Sequence, residues 1–408
     1  MNGTVRLVFV LCLAQSLGML GFATFPALMP GLMVEWDLSN SEAGIVSGAY
    51  FGGYMASVAI LVLLTDRFEA LWIFLSAAVL SGAALLGFAL LADGFWSGLA
   101  LHTVMGVGLA GVYMPGLRVL TDRLEGPKQS RYVAFYTATF GIGAGLSFLF
   151  AGIASDLLGW RWAFGLAAVG AWLAGLLVAA VARPLKERQP PVGHLLDIRP
   201  VLRDRPTMMY VLGYAGHVWE LFALRGWLVA YLTWVAAQEG GAPPWLAPTV
   251  VATVIGLVGV PASILGNEIA MRAGRRRTIV CIMLLSAVTA VILGAFAGGP
   301  YWLVCLVGLF YGIPVVADSA SLTAGAVAAA PAGRRGAAMA VHSTLGFGAG
   351  FLGAAAVGVA LDLAGGASEF GWLVAFATIA LGVVFGPLVL WRLGRNPSDG
   401  KTRQEASA

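Results

Sequence analysis

The stretch TFGIGAGLSFLFAGIASDLLG, residues 139–159, returns in altered form as TLGFGAGFLGAAAVGVALDLAG, residues 344–365. Each copy is long enough to cross the hydrocarbon core of a membrane as a helix, which takes about 20 apolar residues. The two copies start 205 positions apart, and GYMAS from Gly53 and GVPAS from Gly259 have nearly the same spacing. This repeat predicts a chain built from two related halves of membrane-spanning helices.

The composition supports a membrane location. Hydrophobic residues make up 59% of the chain and charged residues 11%, with a mean hydropathy of +0.87, whereas soluble domains carry about a quarter charged residues. Apolar and polar residues do not alternate within the apolar runs as they do in the strands of a transmembrane β-barrel. We therefore expect an all-α membrane protein with the lipid bilayer as its solvent. Twelve transmembrane helices are predicted, at about 5–34, 42–64, 71–91, 97–120, 132–156, 161–182, 207–236, 246–270, 278–297, 300–328, 337–363 and 370–392.

The distribution of basic residues predicts the orientation. If the N-terminus is cytoplasmic, all of the 24 Lys and Arg residues except Arg161 and Arg225 fall at the cytoplasmic face. The positive-inside rule then places both termini in the cytoplasm, and the expected location is the inner membrane of a bacterium. The net charge of +4 follows from this topology and gives no indication of a nucleic-acid partner.

The segment RPLKERQPPVGHLLDIRPVLRDRP interrupts the apolar pattern near the middle of the chain. Its five prolines and mixed charges are typical of a linker. We therefore predict an N-terminal six-helix bundle at 1–182, a cytoplasmic linker at 183–206, a C-terminal six-helix bundle at 207–392 and a cytoplasmic tail at 393–408, the two bundles being related by pseudo-symmetry.

These features together resemble the major facilitator superfamily (MFS). After helix 2, VLLTDRFEA keeps Asp66 and Arg67 of the family's loop motif, and NEIAMRAGRR after helix 8 repeats it with Met271 in the aspartate position. The resemblance implies that these loops gate the conformational change, through residues Asp66, Arg67, Arg272, Gly274, Arg275 and Arg276. Residues 159–164, GWRWAF, are similar to the usual entry to helix 6.

Two departures from the family pattern affect the expected mechanism. His102 stands where many proton-coupled members have an arginine in helix 4, and Leu146 follows Gly145 where antiporters have a Gly-Pro pair. GYAGHVWELFALRGW, residues 213–227, loosely resembles nitrate and cyanate-type transporters, although the paired binding arginines of nitrate carriers are missing from helices 2 and 8.

That same stretch of helix 7 carries three ionisable side chains, His217, Glu220 and Arg225. Charged residues at mid-bilayer cost about 2.5–3.5 kcal/mol each on insertion scales, so they are expected to face a wet cavity or a partner. At about 100° per residue, His217 lies between the other two on one broad face. In the family, helices 1, 4, 7 and 10 line the central path, which would add Gln15, His102 and Asp318 to a substrate-binding and coupling site.

Each of these residues also has a structural interpretation. Glu220 and Arg225 could form a closed ion pair, His217 and His102 could be neutral and bonded to carbonyl groups, and Asp318 could pair near the cytoplasmic end. His342 in helix 11 is a weaker candidate for function.

The leading hypothesis is a secondary transporter for a small organic or inorganic anion, taken up with protons by alternating access. In it the anion pairs with Arg225, and Glu220 is released to take a proton that His217 relays. The first alternative is proton-driven efflux of amphipathic drugs or metabolites, with Trp219, Trp227, Trp234, Phe222 and Tyr311 stacking on the ligand. The second is a membrane sensor on a transporter fold. We expect no enzymatic activity, no cofactor, no metal and no obligate protein partner, since no nucleotide-binding loop, paired nucleophile or ligand cluster is recognisable.

Overall fold

The computed structural model describes residues 3–65, 67–124, 129–185 and 198–394. Within these ranges the chain is all-helical, with no strand. The sixteen helices, in chain order, are α1 Gly3–Gly18, α2 Thr24–Glu35, α3 Asn40–Leu64, α4 Ala70–Leu91, α5 Phe95–Thr121, α6 Gln129–Leu158, α7 Trp160–Val181, α8 Arg199–Arg203, α9 Arg205–Gln238, α10 Pro248–Ala273, α11 Arg275–Ala295, α12 Tyr301–Tyr311, α13 Pro314–Ala317, α14 Ser319–Ala329, α15 Arg335–Leu363 and α16 Glu369–Leu393.

Ten helical segments of the described chain are long and apolar enough to cross a membrane, which is the length class that the sequence predicts. Their outward faces carry large apolar side chains such as Leu90, Leu176 and Leu381, each of which is more than half exposed. Such side chains are expected where the neighbour is lipid rather than water.

Two of the predicted spans are broken rather than continuous, which corrects the prediction of one helix at 5–34 and one at 300–328. The first divides into α1 and α2 around residues 19–23, and the second into α12, α13 and α14. Pro26 explains the first break and Pro314 the break between α12 and α13, because proline lacks the N–H for the helical ladder and its ring clashes with the carbonyl four residues earlier. Both breaks lie in the interior of the bundle, where Met19 and Pro314 are buried.

Helix α3 packs along α15 at close range. A Cβ on Gly44 would lie 2.6 Å from the carbonyl oxygen of Ala354, and a Cβ on Gly358 would lie 2.2 Å from that of Asn40. Only glycine allows this approach. Helix α6 packs against α10 in a similar way, with the Cα of Gly145 3.0 Å from the Cβ position of Gly256.

One carboxylate joins the start of α3 to the end of α15. Asp362 accepts hydrogen bonds from the backbone N–H groups of Asn40 (3.2 Å) and Ser41 (2.7 Å), from the Asn40 amide (2.8 Å) and from the Ser41 hydroxyl. The carboxylate thus satisfies free N–H groups in the first turn of α3, where a negative charge is stabilising. We call the end of the molecule at which α3 begins and α15 ends the Asp362 end.

Candidate functional site

His217 and Asp318 form the most deeply buried pair of opposite ionisable groups in the described chain. His217 lies midway along α9, and Asp318 occupies the break between α13 and α14. Their side chains are 1% and 2% exposed, and the His217 Nδ1 to Asp318 Oδ1 distance is 2.8 Å. The distance suits an ion pair, although the two atoms are not aligned as a hydrogen bond. The break in the helix therefore presents the Asp318 carboxylate directly to α9.

Glu220 lies one turn further along α9 and has different partners. Its Oε1 atom accepts hydrogen bonds from the hydroxyl groups of Ser286 on α11 (2.7 Å) and Tyr311 at the end of α12 (2.8 Å). The structural interpretation of Glu220 and Arg225 as a closed ion pair is wrong, because Glu220 faces α11 and α12 and no ion pair joins it to Arg225 among the described residues. The interpretation failed because the two side chains leave α9 in different directions.

Arg225 is half-buried and faces an apolar pocket between α6, α9, α10 and α13. The pocket is lined by Arg225 and by Ala144, Gly145, Phe148, Leu221, Leu224, Leu228, Ala252, Ile255, Gly256, Val315 and Val316. In the part of the chain that the structure describes, the guanidinium has no hydrogen bond and no carboxylate within ion-pair distance. Its central carbon lies 5.9 Å from the ring centroid of Phe22 and 6.0 Å from that of Phe222. These rings face the cation but do not neutralise it.

Aromatic rings meet where α3, α9 and α15 pack together. The rings of Phe51 on α3 and Phe222 on α9 stack with centroids 3.8 Å apart and planes 3° apart. Tyr54 and Phe347 stack at 3.7 Å, so α3 is also held to α15. Sequence reasoning missed Phe51, Tyr54 and Phe347, since aromatic residues inside an apolar run carry no signal that separates a contact across helices from ordinary packing.

The other aromatic residues predicted along the path have mainly structural contacts. The indole N–H of Trp227 donates to the carbonyl of Ala354 (2.8 Å), and that of Trp219 donates to the carbonyl of Thr378 (3.3 Å). Trp234 packs near Trp372 at 6.5 Å between ring centroids.

His102 and Gln15 lie apart from the His217–Asp318 pair. His102 Nδ1 is 2.6 Å from the carbonyl oxygen of Val46, and the ring lies 5.2 Å from those of Phe25 and Tyr50. A carbonyl accepts only, so Nδ1 carries the proton in this contact. Gln15 accepts a hydrogen bond from the hydroxyl of Tyr136 at 2.9 Å. Both residues are buried in the packing of the first seven helices.

The predicted gating motifs lie at the end of the molecule opposite the Asp362 end. Asp66 lies outside the described residues, and Arg67 is exposed. Gly274 joins α10 to α11 with a φ of 94°, a left-handed conformation that favours glycine. Arg272 pairs with Glu268 in its own helix. Arg276 donates to the carbonyls of Gly394 and Trp391 at the end of α16. Arg275 is half-buried.

The chain is similar to known membrane transporters. The human protein named spinster homolog 1 is 22% identical over 286 residues, which cover 66% of this chain and 54% of that protein, so the match spans about half of the human relative. An uncharacterised MFS-type transporter of Enterobacter sp. (strain 638) is 25% identical over 297 residues, which cover 72% of each chain.

A solved structure has the same fold over nearly the whole chain. It is a bacterial homologue of the human lysosomal transporter Spinster, in an inward-facing and occupied conformation, with a TM-score of 0.76 and 15% identity over 95% of this chain and 96% of the other. The model of the Major Facilitator Superfamily matches residues 11–266, more than half of the sequence. The chain therefore belongs to the major facilitator superfamily of membrane transporters.

Proposed function

We propose that the protein is a secondary transporter that takes up an amphipathic organic anion together with protons. The observation that carries this proposal is Arg225, a half-buried guanidinium that faces an apolar pocket without an anionic partner among the described residues. A buried charge is costly unless it is paired, so a site of this kind is suited to a ligand that brings the missing negative charge.

The lining of the pocket supports an amphipathic substrate. Beside Arg225 it consists of the apolar side chains of α6, α9, α10 and α13, with Leu224, Ile255 and Val316 among them. A carboxylate, sulfonate or phosphate would pair with the guanidinium in a forked geometry, and an apolar body would pack on the walls. This narrows the predicted small anion to one with an apolar part, and the likeness to nitrate and cyanate-type carriers stays loose.

The pocket has to widen for such a ligand. Its free volume is about 20 Å³, roughly the room for a single water molecule. The seam between α6 and α10, where Gly145 faces Gly256, borders the pocket and has small side chains that allow the helices to slide. Substrate entry is therefore expected to accompany a rearrangement of α6 against α10.

The proposed mechanism is alternating access between two six-helix halves. In it the twelve predicted spans form bundles within 1–182 and 207–392, joined by the linker 183–206 and followed by the tail 393–408. With both termini cytoplasmic, in the inner membrane of a bacterium, the Asp362 end faces the periplasm. The Asp362 hydrogen bonds and the Phe51–Phe222 stack then close the periplasmic side, and their release would open it.

His217 and Asp318 are the proposed proton-binding pair. His217 lies about two turns before Arg225 in α9, and Asp318 is paired with His217 from the break between α13 and α14. Binding a proton makes the net charge of this pair more positive. An anion at Arg225 then favours protonation of the pair, and protonation of the pair favours binding of the anion. This replaces the scheme in which Glu220 is released from Arg225, because Glu220 holds the hydroxyls of Ser286 and Tyr311 instead.

Export of an amphipathic cation is the second candidate. It is favoured by the stacked rings of Phe51, Phe222, Tyr54 and Phe347, on which a cationic or neutral ligand could pack. In that case Arg225 would repel the ligand, so the two candidates predict opposite effects of its removal.

Exchange transport in proteoliposomes tests the proposal. Vesicles that contain the purified protein are loaded with naphthalene-1-sulfonate, and entry of labelled naphthalene-1-sulfonate against it is followed. We expect exchange by the wild type, a loss of about tenfold or more in Arg225→Ala, and partial recovery in Arg225→Lys. The matched control is Arg161→Ala, since Arg161 donates to the carbonyl of Ala89, stacks on Trp160 and is not among the residues that line the pocket. Exchange that survives Arg225→Ala at the wild-type rate would contradict the proposal.

A further inference from the structure

His342 on α15 is a buried imidazole that the site described above does not use. Its side chain is 2% exposed. Its Nε2 atom lies 3.4 Å from the hydroxyl of Thr323 on α14, while its Nδ1 atom is buried without a hydrogen-bond partner in the described chain. A histidine with one free ring nitrogen can accept a proton there without losing an existing bond.

The ring of Tyr214 contacts His342 and also lies near His217. It stacks on His342 with centroids 3.8 Å apart and planes 18° apart, and it lies 5.6 Å from the ring of His217. The two imidazoles are therefore at most about 9.4 Å apart, since 3.8 Å and 5.6 Å are the two steps through Tyr214. At that distance in a poorly solvated interior, a positive charge on one imidazole opposes a positive charge on the other.

Helix α15 leaves room for the Tyr214 ring beside His342. Gly346 lies one turn beyond His342 on the same face, and a Cβ on it would come 2.5 Å from Cε1 of Tyr214. The absence of a side chain at Gly346 thus makes room for the phenol ring. The stack is built into the backbone, which argues against a chance contact between two aromatic rings.

These residues lie at different depths from the end of the molecule opposite the Asp362 end. His342 lies seven residues after α15 begins at Arg335, and Thr323 lies six residues before α14 ends at Ala329. Both are therefore closer than the His217–Asp318 pair to the end opposite the Asp362 end. Going from that end inward, the order is Thr323, His342, Tyr214, His217 and Asp318.

We propose that His342 is the second station of the proton path, which receives the proton that leaves the His217–Asp318 pair and passes it toward the end where α14 ends and α15 begins. The proposal rests on the proposed proton-coupled function. The step uses one water molecule as the carrier: an N–H bond of the His217 imidazolium is broken as an O–H bond forms on the water, this water gives up a proton to form an N–H bond on His342, and His342 later releases its proton to bulk water. Because the positive charges of two protonated imidazoles repel each other, the arrival of a new proton at His217 favours the loss of the proton from His342.

Few other titratable groups that could bind the proton lie near His342 in the described chain. Helix α9 presents Tyr214 and His217, and Asp318 lies beyond them. Helix α14 presents the hydroxyl of Thr323. Tyr54 of α3 stacks on Phe347, five residues after His342 in α15. Among the titratable groups that line this route in the described chain, His342 is the one that comes next after the His217–Asp318 pair.

The test separates proton movement from substrate movement. Proteoliposomes with wild type, His342→Phe and His342→Gln are assayed in two ways with naphthalene-1-sulfonate: equal-pH exchange, which needs no net proton transfer, and uptake driven by an inward proton gradient. His342→Phe keeps an aromatic ring on Tyr214, so folding and substrate binding are expected to persist. We expect exchange within about twofold of wild type in both variants, and gradient-driven uptake that falls about tenfold or more.

Gly346→Ala provides a second route to the same state. The added methyl group displaces the Tyr214 ring from its stack on His342 while both histidines remain, so gradient-driven uptake should fall and exchange should persist. If exchange and driven uptake fall together in His342→Phe and His342→Gln, the residue is only structural and the proposal is overturned. Driven uptake at the wild-type rate in both variants would overturn it as well. Failure of exchange in the wild type itself would instead refute the proposed function, and this inference with it.

Discussion

Removing the carboxylate of Asp362 should open the Asp362 end of the protein. In Asp362→Ala, the first turn of α3 loses four hydrogen bonds that reach it from α15. Exposed charged contacts contribute about 0.2–1 kcal/mol each, because water competes for both partners. Four such bonds, which share one acceptor and are not additive, give about 1–3 kcal/mol in total. At about 1.4 kcal/mol per factor of ten, the population of the form open at this end should rise about 5- to 140-fold.

Spin-label distances measure this change. Labels are attached at Val34→Cys on α2 and Ala367→Cys after α15, both exposed positions at the Asp362 end. The background lacks the three cysteines of the chain, Cys12, Cys281 and Cys305, which are free thiols. Wild type should give a short distance, and Asp362→Ala should give a second, longer distance in a larger fraction of molecules.

The internal repeat supplies a matched control. Asp156 occupies the position in α6 that Asp362 occupies in α15, in the sequences ASDLLG and ALDLAG. In the described part of the chain its carboxylate makes no hydrogen bond or ion pair. Asp156→Ala should leave the distance distribution unchanged. An unchanged distribution in Asp362→Ala, or an equal change in both variants, would refute the role given to the Asp362 contacts.

Two further substitutions test the packing on which the site depends. Gly358→Leu places a side chain where a Cβ already comes 2.2 Å from the carbonyl oxygen of Asn40, so the same spin labels should report the longer distance, and retention of the short one would contradict the tight α3–α15 seam. Tyr311→Phe removes one of the two hydroxyl donors to Glu220 and should destabilise the protein by about 1–2 kcal/mol. Tryptophan fluorescence during thermal unfolding in detergent measures this loss, and an unchanged midpoint would show that the bond to Glu220 does not contribute to stability.

Much of the architecture could be predicted from the hydropathy pattern. The apolar runs located the helices because membrane-spanning backbone has to satisfy its hydrogen bonds within each helix. The pattern did not reveal that 5–34 and 300–328 are broken, since an apolar window averages over a turn. Pro26 signals the first break and Pro314 the break between α12 and α13, because a proline disrupts the preceding turn. No proline accounts for the break at Asp318.

The site could be predicted only in part. Helical periodicity predicts His217, Glu220 and Arg225 on one face of α9. The free-energy cost of placing ionisable side chains inside a membrane indicates that all three need partners. Which partner each one takes depends on the neighbouring helices: α14 for His217, α11 and α12 for Glu220, and an apolar pocket for Arg225. A single sequence contains no information on these neighbours, so the pairing of His217 with Asp318 was not foreseen although both residues were proposed for the site.

Binding of naphthyl probes with anionic, cationic and neutral head groups tests whether Arg225 is the counter-charge of an anionic substrate. The purified protein is titrated with naphthalene-1-sulfonate, 1-naphthylmethyl trimethylammonium and neutral 1-naphthylmethanol, with wild type, Arg225→Ala and Arg161→Ala compared. We expect wild type and Arg161→Ala to bind the sulfonate at least about tenfold more tightly than the other two probes, and Arg225→Ala to lose this preference, since a charge-assisted pair in a poorly solvated pocket exceeds 1.4 kcal/mol. Equal affinity of the wild type for all three probes, or a sulfonate preference that persists in Arg225→Ala, would contradict it.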